Sequence, residues 1–167
     1  MYIGIDPGTV NLGLALVEDS GLIIHTQVLN MKDSNNMLQF IDMLIDLCRD
    51  HIPVDSSNRR EHINRVVIER FVPYAGTFSS DSERIVMLIG GLQYAFHETH
   101  GSEVLLLRAI EWKPKLCKDL YKKKKFNNPS TKFDKKFSHA AATCITGQKF
   151  KTDHEADAVC LAYYDKI

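Results

Sequence analysis

Three acidic positions, far apart in the chain, stand at the ends of regular elements. Asp6 closes the apolar run Tyr2-Ile3-Gly4-Ile5 and is followed by Pro7-Gly8-Thr9, while Glu69 closes Val66-Val67-Ile68. The third is the cluster Asp153-His154-Glu155-Ala156-Asp157 near the C-terminus. Within it His154 and Asp157, three apart, share one face of a helix, and Asp153 is placed to cap that helix. Carboxylates that converge from such positions hold hard divalent cations, and the chemistry they serve is metal-assisted hydrolysis of a phosphodiester. An imidazole beside them can ligate metal when neutral or move a proton.

The elements that must position these residues follow from periodicity. Residues 2 to 6, 12 to 18 and 22 to 29 are β-rich runs separated by Pro7-Gly8-Thr9 and Asp19-Ser20-Gly21, which predicts an antiparallel three-strand meander. From Asn35 to His51, Met37, Leu38, Phe40, Ile41, Leu44, Ile45 and Leu47 keep helical spacing up to Pro53. Val66 to Glu69 is continuously apolar, as a strand in the middle of a sheet is. Ser80 to His100 reads as a second helix, with Ser80 and Asp81 available as caps and Ile85, Leu88, Ile89, Leu92, Ala95 and Phe96 on its apolar side. The Gly90-Gly91 pair inside it costs roughly 1 kcal/mol per glycine relative to alanine, and points either to close backbone approach, as by a second subunit, or to a local kink. Val104 to Leu107 is a fifth strand and Ile110 to Tyr121 is partly helical despite Pro114. Lys122 to Asn128 is a basic loop, and Asp134 to Thr146 and Asp153 onward are further helices. This order predicts an α/β chain with an RNase H-like layout: a central mixed five-stranded sheet flanked by helices, as a single domain over 1–167.

Composition narrows the partners. A 44% hydrophobic and 25% charged chain of 167 residues suits one soluble globular domain, and no apolar run approaches the roughly 20 residues that span a bilayer, so no membrane segment is expected. The N-terminus has neither the basic stretch nor the cleavage pattern of a signal peptide and reads as a strand. Cys48, Cys117, Cys144 and Cys160 form no metal-binding spacing, and are expected as reduced thiols packed as small hydrophobes in an intracellular, reducing compartment. A net charge of zero conceals an asymmetry. Residues 105 to 152 carry thirteen Lys or Arg against three acidic residues, an excess of ten that the rest of the chain balances with ten negative charges. A basic region of this strength predicts a polyanionic partner, with the tetrad Lys122, Lys123, Lys124 and Lys125 as an arm.

Taken together, Ile3-Gly4-Ile5-Asp6-Pro7-Gly8-Thr9, Val67-Ile68-Glu69-Arg70-Phe71 and His154-Glu155-Ala156-Asp157-Ala158 resemble the motifs of RuvC-type Holliday junction resolvases, including the poxvirus-type enzymes of large DNA viruses. The resemblance spans nearly the whole chain. It implies an RNase H-like homodimer that makes paired nicks in four-way junction DNA, leaving 5′-phosphates, in recombination or viral concatemer resolution. It also implies Mg²⁺ or Mn²⁺, two ions per active site, held by Asp6, Glu69, His154 and Asp157 as the catalytic set. Many members have Asp at the third position, so Asp153 is an alternative to His154 there. DNA contacts are implied around Trp112-Lys113 and around Lys135 and Lys136. An aromatic side chain is implied in the loop after Glu69, for which Phe71, Tyr74 and Phe78 are candidates, Val72 standing at the family's own spacing. The helix 80–100 is the expected dimer seam. Two other activities stay open: a nuclease on RNA–DNA hybrid or general branched DNA, and a non-catalytic junction binder. The segment Ile5-Asp6-Pro7-Gly8-Thr9 also resembles the phosphate loop of actin-like ATPases, although 167 residues supply one lobe of the two such a cleft needs.

Overall fold

Alternating apolar residues make the strands, and the positions of the alternation decide which face each residue sees. The chain is represented by a computed structural model that describes residues 1–33, 36–52, 62–72, 79–122, 133, 135–164 and 166. β1 (Tyr2–Pro7), β2 (Asn11–Val17) and β3 (Ile23–Asn30) form the antiparallel meander, and β4 (Arg65–Glu69) and β5 (Glu103–Leu107) join it in the order β3-β2-β1-β4-β5. β4 pairs parallel to β1 on one side and to β5 on the other. Parallel neighbours need crossovers, supplied here by α1 (Met37–His51), which precedes β4, and α2 (Ser80–His100), which precedes β5. α3 (Ala109–Lys122), α4 (Lys135–Thr146) and α5 (Asp153–Ala162) complete the chain. The expected mixed five-stranded sheet with flanking helices is present, with an additional 3₁₀ turn at Met31–Asp33.

The sheet divides the interior in two. Ile3, Ile5, Leu12, Leu14, Leu16, Val66 and Ile68 point to one face and pack with Phe40, Leu44, Leu88, Leu92 and Phe96 of α1 and α2. Ala15, Val17 and Val67 point to the other and pack with α3, α4 and α5, whose contributions include Trp112, Leu116 and Leu120 and a set of alanines, Ala141, Ala142, Ala156, Ala158 and Ala162. Among the described residues no helix is long and apolar enough to cross a membrane. The four cysteines, all among the described residues, are thiols outside any disulfide; Cys48, Cys117 and Cys160 are buried and Cys144 is half-buried.

Local details depart from expectation at the helix ends. α2 is capped by Ser79, whose side chain accepts from the Ser82 N–H, rather than by Ser80 or Asp81. α5 is capped by Thr152 rather than Asp153, in a capping box with Glu155, and it ends at Ala162 with Tyr163 as C-cap. Gly91 has its close approach inside the chain: a Cβ there would run into the Ile41 side chain of α1, whereas a Cβ on Gly90 would meet open space.

Candidate active site

Register alone brings two of the carboxylates together. Ile5 pairs with Ile68 across the parallel β1–β4 ladder, so Asp6 and Glu69 lie next to one another at the carboxyl ends of adjacent central strands. Their parity also matters. Asp6 follows Gly4 and Glu69 follows Val67 at two-residue intervals, which turns both toward the face covered by α3, α4 and α5. This is where an open parallel sheet presents functional groups.

α5 delivers the remaining residues because the strands beneath it lack side chains. A Cβ on Gly4 would collide with the Ala158 carbonyl, and one on Gly13, opposite Asp6 on β2, with the His154 carbonyl. Gly8 likewise leaves room for the His154 ring, which a Cβ would approach within 2.9 Å. The helix therefore lies almost on the sheet backbone. His154 Nδ1 comes within 2.6 Å of Asp6 Oδ2, and Asp157 enters the same buried site.

α3 closes the site from the side. The Trp112 indole N–H donates to Glu69 Oε2 at 2.8 Å, and Lys113 Nζ stands 3.3 Å from Asp157 Oδ1. That distance makes an ion pair, and Lys113 and Ser138 are the polar groups that face the buried Asp157 carboxylate. Burial, with Asp6 next in importance, pushes the Glu69 carboxyl up to about 7, against the indole N–H that holds it down. Burial also raises Asp157; Lys113 opposes the rise, Asp6 adds to it, and Ser138 opposes it. The hydrogen bond to Asp6 raises His154 against the effect of burial.

Asp6, Glu69, His154 and Asp157 therefore meet. Asp153 accepts from His139 of α4, Nε2 to Oδ1 3.0 Å, and of the two candidates it is His154 that touches Asp6. Lys113, expected among the DNA contacts, is only 9% exposed and turned into the acidic site. Trp112 beside it is fully buried. Phe71 is half-buried against the aliphatic core, lining an apolar groove with Val72, Val86, Ile89 and Leu106. Lys136 is exposed on α4. Lys122 and Lys135 fall within α3 and α4, while Tyr74, Phe78, Lys123, Lys124 and Lys125 lie outside the described residues. Sequence reasoning missed Gly13, which reads as an unremarkable strand residue, and the inward role of Trp112. The latter had a signal: Trp112, Leu116 and Leu120 recur at four-residue spacing, marking the buried stripe of α3.

No protein-family model and no curated protein matches the sequence. Solved structures do match. RuvC of Thermus thermophilus in complex with Holliday junction substrate aligns over 98% of this chain and 90% of its own, with TM-score 0.64 and 18% identity. The fold is that of RuvC. A second Thermus thermophilus RuvC structure aligns with TM-score 0.60 and 19% identity, over 98% of this chain and 92% of its own. The yeast mitochondrial Holliday junction resolvase Ydc2 aligns with TM-score 0.48 and 17% identity, over 97% of this chain and 75% of its own. On this RuvC fold the strand ends and α5 carry the acidic cluster described above.

Among the described residues no three His, Cys, Asp or Glu side chains stand grouped as a metal cage. One oxygen of each carboxylate has a partner within the protein: His154 at Asp6, Trp112 at Glu69 and the Lys113 charge at Asp157. The donor set nevertheless fits a hard divalent cation. It consists of carboxylate oxygens in a site whose burial and mutual repulsion penalise negative charge.

Proposed function

We propose that the protein is a Holliday junction resolvase: a metal-dependent endonuclease that makes paired nicks in four-way DNA junctions and leaves 5′-phosphates. The observation that carries this reading is the convergence of Asp6, Glu69 and Asp157, with His154 bonded to Asp6, at the strand ends of a RuvC fold. Asp6, Glu69 and Asp157 would hold Mg²⁺ or Mn²⁺, two ions per site, with His154 as the fourth site residue. When bound, such ions lower the pKa of water and stabilise charge on the phosphate oxygens.

The side chains supply the rest. The Asp6 carboxylate accepts from the His154 Nδ1–H, which leaves Nε2 as the atom that takes a proton from the attacking water. Glu69 and Asp157, fixed from α3, keep their carboxylates in the site rather than turned to solvent. Lys113 balances part of their charge until a cation does so. Lys122 to Lys125, Lys135 and Lys136 neutralise DNA phosphates, so binding weakens steeply with salt. Phe71, Tyr74 and Phe78 are the candidates for stacking at an opened junction centre.

Two cuts across one symmetric substrate require two sites, and the outward stripe of α2 suits a second copy. Val86, Met87 and Tyr94 are 47%, 59% and 70% exposed, beside Gly90, where no side chain stands in the way. Such a pair serves recombination or the resolution of viral concatemers.

The test is Mg²⁺-dependent cleavage of a four-way junction, compared with flap, duplex and RNA–DNA hybrid. Wild type is expected to prefer the junction, and Asp6→Asn to bind it while cutting slower by on the order of 10³-fold or more. Equal cutting of the hybrid would reassign the substrate, and full activity in Asp6→Asn would remove the site.

A further inference from the structure

Trp112 is the chain's single tryptophan, is fully buried, and spends its only polar group on Glu69. An indole N–H is a donor and nothing else, and a buried one requires an acceptor. Here the acceptor is a carboxylate of the site rather than a backbone carbonyl. The bond takes Oε2 at 2.8 Å and ties the end of a side chain with three rotatable bonds to a fully buried ring, which belongs to the same core cluster as Leu116, Val67 and the alanines of α5. Lys113, the next residue, approaches Asp157 from the same helix. α3 thus reaches two carboxylates that arrive from a strand and from another helix.

We propose that Trp112 is a positioning residue for Glu69: its indole N–H fixes one carboxylate oxygen so that the other is presented to a divalent cation. The proposal rests on the reading above that these carboxylates hold Mg²⁺ or Mn²⁺. Groups that orient a ligand from behind typically change metal affinity or activity by about 10- to 100-fold when removed. A bulky apolar ring at this place would fill the same space yet leave Glu69 free to rotate and its Oε2 without a donor.

Having one tryptophan makes the test clean. The full-length protein is produced with 3-benzothienylalanine in place of tryptophan, an isostere with sulfur where indole has N–H, and Trp112→Phe is made in parallel. Mn²⁺ affinity is measured by calorimetry, melting temperature without metal, and kcat and KM on a four-way junction. In the wild type, Trp112 emission is followed during the Mn²⁺ titration, and is expected to change with the same midpoint as the heat. The isosteric protein is expected to melt within a few degrees of wild type, to bind Mn²⁺ about 10- to 100-fold more weakly, and to lose kcat with KM for DNA unchanged. Wild-type Mn²⁺ affinity and kcat in the isosteric protein would overturn the proposal. So would a lowered melting temperature with unchanged Mn²⁺ affinity, which would make Trp112 a packing residue only. If wild type itself neither binds Mn²⁺ nor cuts junctions, the metal reading fails first and takes this proposal with it.

Discussion

On one face of the sheet, α1 and α2 meet β1 and β2 through Ile3, Leu14, Phe40, Leu44 and Leu92, large side chains that hold the helices a full hydrophobic layer away. On the other face, α5 meets the same strands through Ala158 and Ala162 set over Gly4, and through the His154 backbone set over Gly13. The first arrangement is a core of many interchangeable contacts, each buried side chain contributing roughly 1.5–3 kcal/mol. The second has no side chain to compress. What it gains is position: backbone on backbone leaves α5 one depth at which to sit, and that depth brings His154 to Asp6 and Asp157 into the acidic site. Large side chains set the helix distance on one side of the sheet, and under α5 the backbone sets it on the other.

Gly13→Ala should break the comparison most severely. Its Cβ would occupy the place of the His154 carbonyl, so the start of α5 must lift, and His154 with it. Overpacking of this kind is expected to cost about 3 kcal/mol. A shift near 1 Å in the site is expected to lower junction cleavage by about 10²-fold even in the folded fraction. Thermal melting and single-turnover cleavage read the two effects separately; wild-type cleavage would mean that α5 does not set the site. Leu44→Ala makes the opposite probe. It leaves a cavity among aliphatic neighbours and is expected to cost roughly 3 kcal/mol of stability, with kcat per folded molecule unchanged. A fall in kcat there would show that the two faces are coupled. Thr152→Ala is the milder change on the precise side. Loss of the capping box should reduce stability by about 1 kcal/mol, visible in denaturant melts, and should fray the turn that carries His154.

The same contrast explains what the sequence disclosed. Strands, helices and the aliphatic core were legible because they depend on periodicity within short windows, as in the Ile85, Leu88, Leu92 and Phe96 stripe of α2. Asp6 and Glu69 were legible as strand-end carboxylates, and His154 with Asp157 as a helical pair. The close seat of α5 was only half legible. The small residues of the motif around Asp6 are in plain view, but Gly13 is required by a residue 141 positions later, and nothing near it in sequence says so. Trp112 and Lys113 were assigned outward from charge and resemblance, whereas the four-residue stripe of α3 turns Trp112 inward and takes Lys113 to Asp157. The cap at Thr152 was written in the chain as Thr-x-x-Glu, a pattern more specific than the nearby aspartate.

At Glu69 the sign of a stability change separates a working site from a supporting one. Glu69 titrates at about 7 in the folded protein against an ordinary 4.5, chiefly because it is buried and secondly because Asp6 is near. Between these values the folded state binds more protons than the unfolded state, so stability falls as pH rises through that window: the favourable contribution is whole below pH 4.5 and gone above pH 7. Glu69→Gln removes the titration and keeps an amide oxygen to accept from Trp112. With divalent cations chelated, the variant and wild type should melt alike near pH 4.5, and the variant should melt higher above pH 7, by roughly 2–4 °C for each kcal/mol of the cost removed. It should also be inactive in junction cleavage at every pH. A stabilising substitution that abolishes activity is what a carboxylate kept against its own cost would give, whereas a variant that melts lower than wild type at pH 8 would mean that Glu69 is there to hold the fold together.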